Sequence, residues 1–125
     1  MEQEPKTLNE MLTNSVSLHD SRTAFKVKKD NIFDPISYEE FYNKVKGFGT
    51  GLLAVGIEKF DHIGLITDNR LEWIISSLAI NGLRAADIPL PGSTGYEDIS
   101  FKLNHSDSKA VIFEGETQLS EFYNV

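Results

Sequence analysis

The chain has 125 residues, 40% of them hydrophobic and 25% charged, which is enough for one buried core and no more than one domain or part of one. Its formal charge of −7 argues against a nucleic-acid partner, because neutralising a phosphate backbone needs a basic stripe. The absence of cysteine excludes a disulfide framework, a thiolate metal site and a cysteine nucleophile.

Residues 1–5 are polar and acidic and do not read as a secretion signal, so a cytoplasmic location is expected. The most apolar stretch, residues 71–83, is broken by Glu72, Ser76, Ser77 and Asn81. It falls short of the roughly 18 apolar residues that span a bilayer, so no transmembrane helix is expected.

In chain order, the first helix start is marked by Thr7 and Glu10, a capping residue followed three positions later by an acid that reaches back. Phe25 and Val27 then alternate with Lys26 and Lys28, Asp30-Asn31 supplies turn chemistry, and residues 32–36 complete a short hairpin. Pro35, which has no N–H to donate, makes the second strand an edge.

Ser37 and Glu40 repeat the capping pattern, flanked by Ile36 and Phe41 as a hydrophobic staple. Phe41, Val45, Phe48, Leu52 and Val55 continue at helical spacing, and Gly56 is the natural stop. From His62 onward, short apolar runs at 63–66, 88–90 and 110–113 alternate with helical segments, a βαβαβ pattern.

Asn69/Glu72 and Thr94/Glu97 mark the starts of the two intervening helices. The first, residues 70–83, is apolar on nearly every face through Trp73, Ile74, Ile75, Leu78, Ile80 and Leu83. It must therefore lie between a sheet and a second covering layer. A last helix opens near Glu116 with Leu119 and Phe122 at helical spacing, and its stop at Val125 after barely two turns reads as a cut.

Candidate sites are few. Gly49-Thr50-Gly51-Leu52-Leu53-Ala54 matches the G-x-G-x-x-A dinucleotide pattern, with Asp68 as the ribose acid, but that motif must follow a strand. Here it falls inside a capped helix, where glycines serve close helix packing. Gly92-Ser93-Thr94-Gly95 has the composition of a small phosphate loop, yet Tyr96, Glu97 and Asp98 follow instead of a lysine, so it reads as a turn.

His19, His62 and His105 lack metal-ligand spacing. Ser100, His105 and Asp107 have the residue types of a hydrolase triad without a nucleophile elbow. The acids Glu39, Glu40, Asp61, Asp68, Glu97 and Asp98 are scattered over helix starts and loops, where dipole complementarity accounts for them.

The run Ile63-Gly64-Leu65-Ile66-Thr67-Asp68-Asn69-Arg70-Leu71-Glu72-Trp73, with Gly82 and Asp87-Ile88-Pro89-Leu90 after it, resembles the start of the AMP-forming acyl-CoA synthetases. Leu103-Asn104-His105-Ser106-Asp107-Ser108 and the strand to Phe113 match the same family, as do Ile36-Ser37-Tyr38-Glu39-Glu40-Phe41 and Thr7-Leu8 upstream. The resemblance covers nearly the whole chain and looks closest to bacterial long-chain fatty acid–CoA ligases. Leu83-Arg84-Ala85-Ala86 departs from the family's usual Gly-Ala, which touches no chemistry.

The resemblance implies ATP, magnesium and CoA as requirements of a full-length enzyme that adenylates a fatty acid and passes the acyl group to CoA. Peripheral attachment to the inner face of the membrane is compatible with it. The family's Lys-Gly phosphate loop, ribose-binding aspartate and catalytic lysine have no match here, so no catalytic, cofactor-binding or metal residue is carried over. Asn69, Glu72 and Trp73 match family positions and read as a cap and a packing anchor.

The expectation is an α/β chain: a partial, mostly parallel sheet with flanking helices, preceded by an N-terminal helix and an edge β-hairpin. Residues 1–125 would be the N-terminal part of a large adenylation domain, cut at its C-terminal end, inactive alone and partnered by the rest of its polypeptide. Its apolar helix and sheet edge would favour self-association or strand exchange. The alternatives are a free-standing α/β interaction module, or a segment of a fatty acyl-AMP ligase or an amino-acid adenylation domain.

Overall fold

A computed structural model describes residues 4–123. Residues 1–3, the side chain of Phe122 and Val125, all of which entered the sequence reading, lie outside the described residues.

Helix α1 (Leu8–His19) starts where Thr7 accepts the Glu10 N–H at 3.1 Å. The Glu10 carboxylate reaches the N–H of Lys6, one residue before the cap, at 2.7 Å. Strands β1 (Thr23–Lys29) and β2 (Ile32–Ser37) pair antiparallel as a separate two-stranded sheet, so Pro35 does lie on an edge strand, opposite Lys26. Asp30 and Asn31 join the strands with φ of 49° and 63°, the two positive values of a type I′ turn.

Helix α2 (Tyr38–Ala54) closes a full capping box. The Glu40 N–H donates to Ser37 Oγ at 3.1 Å and the Ser37 N–H to Glu40 Oε2 at 2.8 Å. Phe41, Val45 and Leu52 are buried and Phe48 half-buried. Val55 breaks the predicted stripe: it is the C-cap and 78% exposed, because the chain leaves the helix there and turns through Gly56 at φ 95°.

The second half winds as expected. Strands β3 (His62–Ile66), β4 (Ala86–Leu90) and β5 (Ala110–Phe113) form a parallel sheet in the order β4-β3-β5. Helices α3 (Leu71–Gly82) and α4 (Tyr96–His105) make the crossovers, and α5 (Glu116–Tyr123) follows β5. The central strand is the most deeply buried, with Ile63, Leu65 and Ile66 fully inaccessible.

One face of the sheet, through Ile63, shares a core with α1, α2 and α3; the other, through Ile66, packs with Ile99 of α4. The covering layer required by the apolar α3 is therefore supplied within the chain by α1 and α2. At Gly64 of β3 a methyl group would meet Leu103 Cδ2 and Val111 Cγ2, the latter at 2.9 Å, so only glycine lets α4 close on the sheet.

Two predicted helix caps do not form. The N-cap of α3 is Arg70 instead of Asn69, and that of α4 is Gly95 instead of Thr94, neither with a side-chain cap bond. Glu72 bonds sideways to Arg70 Nε at 3.1 Å, while Thr94 Oγ1 donates to the Pro91 carbonyl at 2.6 Å.

Candidate functional site

In an open parallel sheet, the loops leaving the carboxyl ends of the strands converge on one edge, and that edge is where ligands of such folds lie. In this chain they are residues 67–70 after β3, 91–95 after β4 and 114–115 after β5.

Glu114 ties the first and third of these loops together. Its Oε2 accepts the Asp68 N–H at 2.9 Å and the Thr67 hydroxyl at 3.4 Å, and its Oε1 pairs with Arg70 Nη1 at 2.7 Å. The Asp68 N–H first, and then the Arg70 charge and the other bonds, hold the Glu114 carboxyl below its usual value against an opposing effect of burial.

Gln118 of α5 joins the second loop to the same edge. Its amide accepts the Glu114 N–H at 3.0 Å and donates to the Gly92 carbonyl at 2.8 Å. A methyl group on Gly92 would lie 2.7 Å from Asp68 Oδ1 and 2.9 Å from Gln118 Nε2. Both atoms are the ends of flexible side chains, so protein groups crowd this position without demanding glycine there.

Beside this edge is an apolar cleft of about 350 Å³, lined by Thr67, Asn69, Trp73, Pro89, Leu90 and Pro91. A second hollow of about 270 Å³ lies behind Arg70 and Glu114, toward Phe48 and Ser76. A third and wider depression, about 790 Å³, runs along α1 and its leading residues and has no strand-end residue in its lining. With one helix for a wall, it brings no polar groups from different elements together.

The remaining residues singled out by sequence do not converge. Gly49 to Ala54 lie inside α2, with no strand before them. A methyl group at Gly49 would sit 3.9 Å from Ala79 of α3, an ordinary contact, and one at Gly51 would meet open space. Gly49 thus faces the helix interface without requiring glycine, and the packing argument does not extend to Gly51. Thr94 turns back onto Pro91 through both its N–H and its hydroxyl, so the segment from Gly92 to Gly95 is a turn.

His19 lies beside Tyr38, His62 Nδ1 beside the Ser106 carbonyl and His105 against Phe101. Ser100 takes the Asn104 amide, and Asp107 sits in a left-handed turn after α4. Among the described residues, no group of three or more His, Asp or Glu could hold a metal.

Sequence reading missed Glu114, the Asp61–Lys109 pair at 3.1 Å, and Asp87, which holds Ser77 and Asn81 of α3 at 2.9 Å each. Asp61 also accepts the Glu58 N–H at 2.7 Å, and that bond, ahead of Lys109, keeps its carboxyl below the usual range. The one available signal was position: Glu114 directly follows an apolar run at the end of a parallel strand.

The sequence pattern of the AMP-binding enzyme family matches residues 12–123, and the chain belongs to that family. Fatty acyl-CoA synthetase A of Dictyostelium discoideum is 30% identical over 80 residues, covering 64% of this chain and 12% of that protein. Long-chain-fatty-acid–CoA ligase 5 of Rattus norvegicus is 30% identical over 110 residues, covering 86% of this chain and 16% of that protein. The chain thus spans less than a fifth of the length of these relatives.

The fold is that of adenylating enzymes of known structure. The N-terminal subdomain of Klebsiella oxytoca NpsA superimposes with a TM-score of 0.79 at 15% identity, over 96% of this chain and 33% of that one. O-succinylbenzoate coenzyme A synthetase of Bacillus subtilis, in complex with AMP, gives 0.78 at 19% identity over 91% and 29%.

Proposed function

We propose that residues 1–125 are the N-terminal part of the adenylation domain of a long-chain fatty acid–CoA ligase and act there as scaffold, with no catalytic, nucleotide-binding or metal residue of their own. One observation carries the scaffold reading: the Arg70 guanidinium and the Glu114 carboxylate at the strand ends are spent on each other. Arg70, the cation at this edge, is paired with both Glu114 and Glu72. Gly92 is filled against by Asp68 and Gln118. A triphosphate needs unpaired donors to stabilise its charge, and the residues at this edge do not fit magnesium and ATP.

The relatives named above are the support for fatty acid as substrate. In the reaction, the fatty acid carboxylate attacks the α-phosphorus of ATP and pyrophosphate leaves; the CoA thiol then displaces AMP from the acyl-adenylate. No step of it is assigned to these residues. The partners of the segment are the rest of its polypeptide and, through that, fatty acid, ATP and CoA, in a cytoplasmic enzyme of fatty acid metabolism.

Calorimetric titration of the 125-residue chain with a nonhydrolysable acyl-adenylate analogue and magnesium tests the scaffold half. No heat above dilution is expected, and saturable binding would sink it. The ligase half is tested by pyrophosphate release from the polypeptide that contains this segment. Release should depend on a long-chain fatty acid, and release only with amino acids or short carboxylates would refute the assignment.

A further inference from the structure

Asn81 is the one asparagine of the sequence that is followed by glycine. In such a pair the glycine's backbone nitrogen can attack the asparagine's side-chain carbonyl carbon, because the reaction is intramolecular and no Cβ shields the nitrogen. The structure places this pair at the end of α3 and keeps the two reacting groups apart.

The side chain is held first. Side chains on a helix lean toward its N-terminus, and Asn81 Nδ2 donates to the Ser77 carbonyl one turn earlier at 2.8 Å, away from the Gly82 nitrogen. The same nitrogen donates to Asp87 Oδ1 of β4 at 2.9 Å. Both neighbours are acceptors, which fixes the amide nitrogen toward them.

The main chain is held as well. Gly82 is the last residue of α3, so its N–H is bonded within the helix. Beyond it, the Arg84 N–H donates to the Asn81 carbonyl at 3.0 Å and the Ala85 N–H to the Ile80 carbonyl at 3.2 Å, with Arg84 at φ 61°. These two bonds make a Schellman closure, with arginine in the left-handed place that glycine usually takes. Arginine pays a steric cost there that glycine would not, so this corner opens more readily than a glycine-closed helix end.

We propose that Asn81-Gly82 is a site of spontaneous deamidation gated by the fold: unreactive while α3 is joined to β4, and converted to aspartate or isoaspartate in chains that open at this corner. The Gly82 nitrogen bonds to Asn81 Cγ, the Cγ–Nδ2 bond breaks, and ammonia leaves with the former Gly82 amide proton. Water then splits the cyclic imide at either carbonyl. One route restores the main chain as aspartate, and the other diverts it through the side chain as isoaspartate.

Either product marks the chain. A carboxylate at residue 81 removes the donor used by Asp87 and by the Ser77 carbonyl, and sets like charges where a 2.9 Å bond had been. Isoaspartate also adds a methylene to the main chain inside the last turn of α3. The corner then cannot close as before, and a single opening leaves a lasting record. The proposal uses α3 and β4 alone and does not rest on the ligase reading.

The test incubates the 125-residue chain, folded in buffer and unfolded in guanidinium chloride, at one pH and temperature. Digestion and mass spectrometry then read the peptide that carries residue 81. In the unfolded chain this peptide should gain the mass of an amide-to-acid change and split into aspartate and isoaspartate forms. In the folded chain conversion should be slower by about tenfold or more. Equal rates in the two states overturn the gate, and faster conversion at any other asparagine of the unfolded chain overturns the site.

Gly82→Ala separates the chemistry from the fold. A methyl group at Gly82 would meet Asn9 Oδ1 at an ordinary 3.7 Å, so the variant should keep the circular dichroism of the parent chain. Its Cβ should slow conversion of the unfolded chain about tenfold, and conversion at the parent's rate overturns the mechanism. Asn81→Asp installs the product directly. It should raise the unfolded-to-folded ratio at the parent's denaturation midpoint about tenfold, and an unchanged midpoint overturns the claim that the product marks the chain.

Discussion

Helix α2 and helix α3 begin with the same kind of sequence, a small polar residue followed three positions later by glutamate, and only α2 uses it. Ser37 and Glu40 close both arms of the capping box. At α3, Asn69 makes no cap bond and Glu72 turns aside to Arg70. The difference lies in what competes.

At the start of α2 the loop before β1 brings only backbone carbonyls, those of Arg22 and Asp20, to the Tyr38 and Glu39 N–H groups at 3.0 Å each, and leaves Ser37 and Glu40 to each other. The start of α3 lies at the carboxyl edge of a parallel sheet, where Glu114, 46 residues from Asp68, takes the loop's N–H and Arg70 as well. A capping pattern is decisive where its neighbours are local. It gives way where the topology delivers a charged partner from a distant strand.

The comparison breaks most completely if the parallel half is opened from within. Gly64→Ala places a methyl group against Val111, a β-branched side chain with little freedom to move, in the middle of the central strand. It should destabilise the chain by about 2 kcal/mol in urea denaturation. A loss under about 0.5 kcal/mol would mean that Leu103 and Val111 yield, and that α4 is not held to the sheet through this contact.

What was legible in the sequence follows the same division. The turn at Asp30-Asn31, the box at Ser37, the stop at Gly56 and the alternation of later strands with helices all rest on residues near one another or on a period repeated along the chain. Val55 misled because a helical stripe carries no mark for the turn at which it leaves the core.

The stitched strand edge was hidden for a physical reason. Thr67, Arg70, Gly92, Glu114 and Gln118 come together only after two crossovers are wound, and each taken alone is an ordinary loop or helix residue. Gly92 reads from sequence as part of a turn, and what the sequence does not reveal is the approach of the Asp68 and Gln118 side chains to it.

The two helix starts sharpen the comparison when cut in the same way. Ser37→Ala removes an acceptor that the Glu40 N–H uses, and should cost about 1 kcal/mol. Asn69→Ala removes a side chain that caps nothing, and should fall within about 0.5 kcal/mol of the parent chain. Paired urea midpoints decide it. Equal losses would mean that Asn69 caps α3 in solution, and the distinction between local and delivered partners would fail.

The smallest effect at neutral pH, and the most diagnostic in acid, belongs to Glu114→Gln. Glutamine keeps an oxygen for the Asp68 N–H and loses the charge that faces Arg70. Because the native carboxyl is held below its usual value, the unfolded chain binds the proton first as pH falls. The stabilisation from Glu114 is therefore complete above the ordinary glutamate range and is lost as pH drops through the lower native value.

Asp61 is shifted in the same direction and will tilt the parent curve as well, so the informative quantity is the difference in melting temperature between parent and variant. That gap should be constant from neutral pH down to the ordinary glutamate range and close below it. A gap unchanged into strong acid would show that Glu114 acts only through its shape and hydrogen bonds. The partner delivered to α3 would then be a neutral one, and the contrast with the Ser37 cap would be one of distance alone.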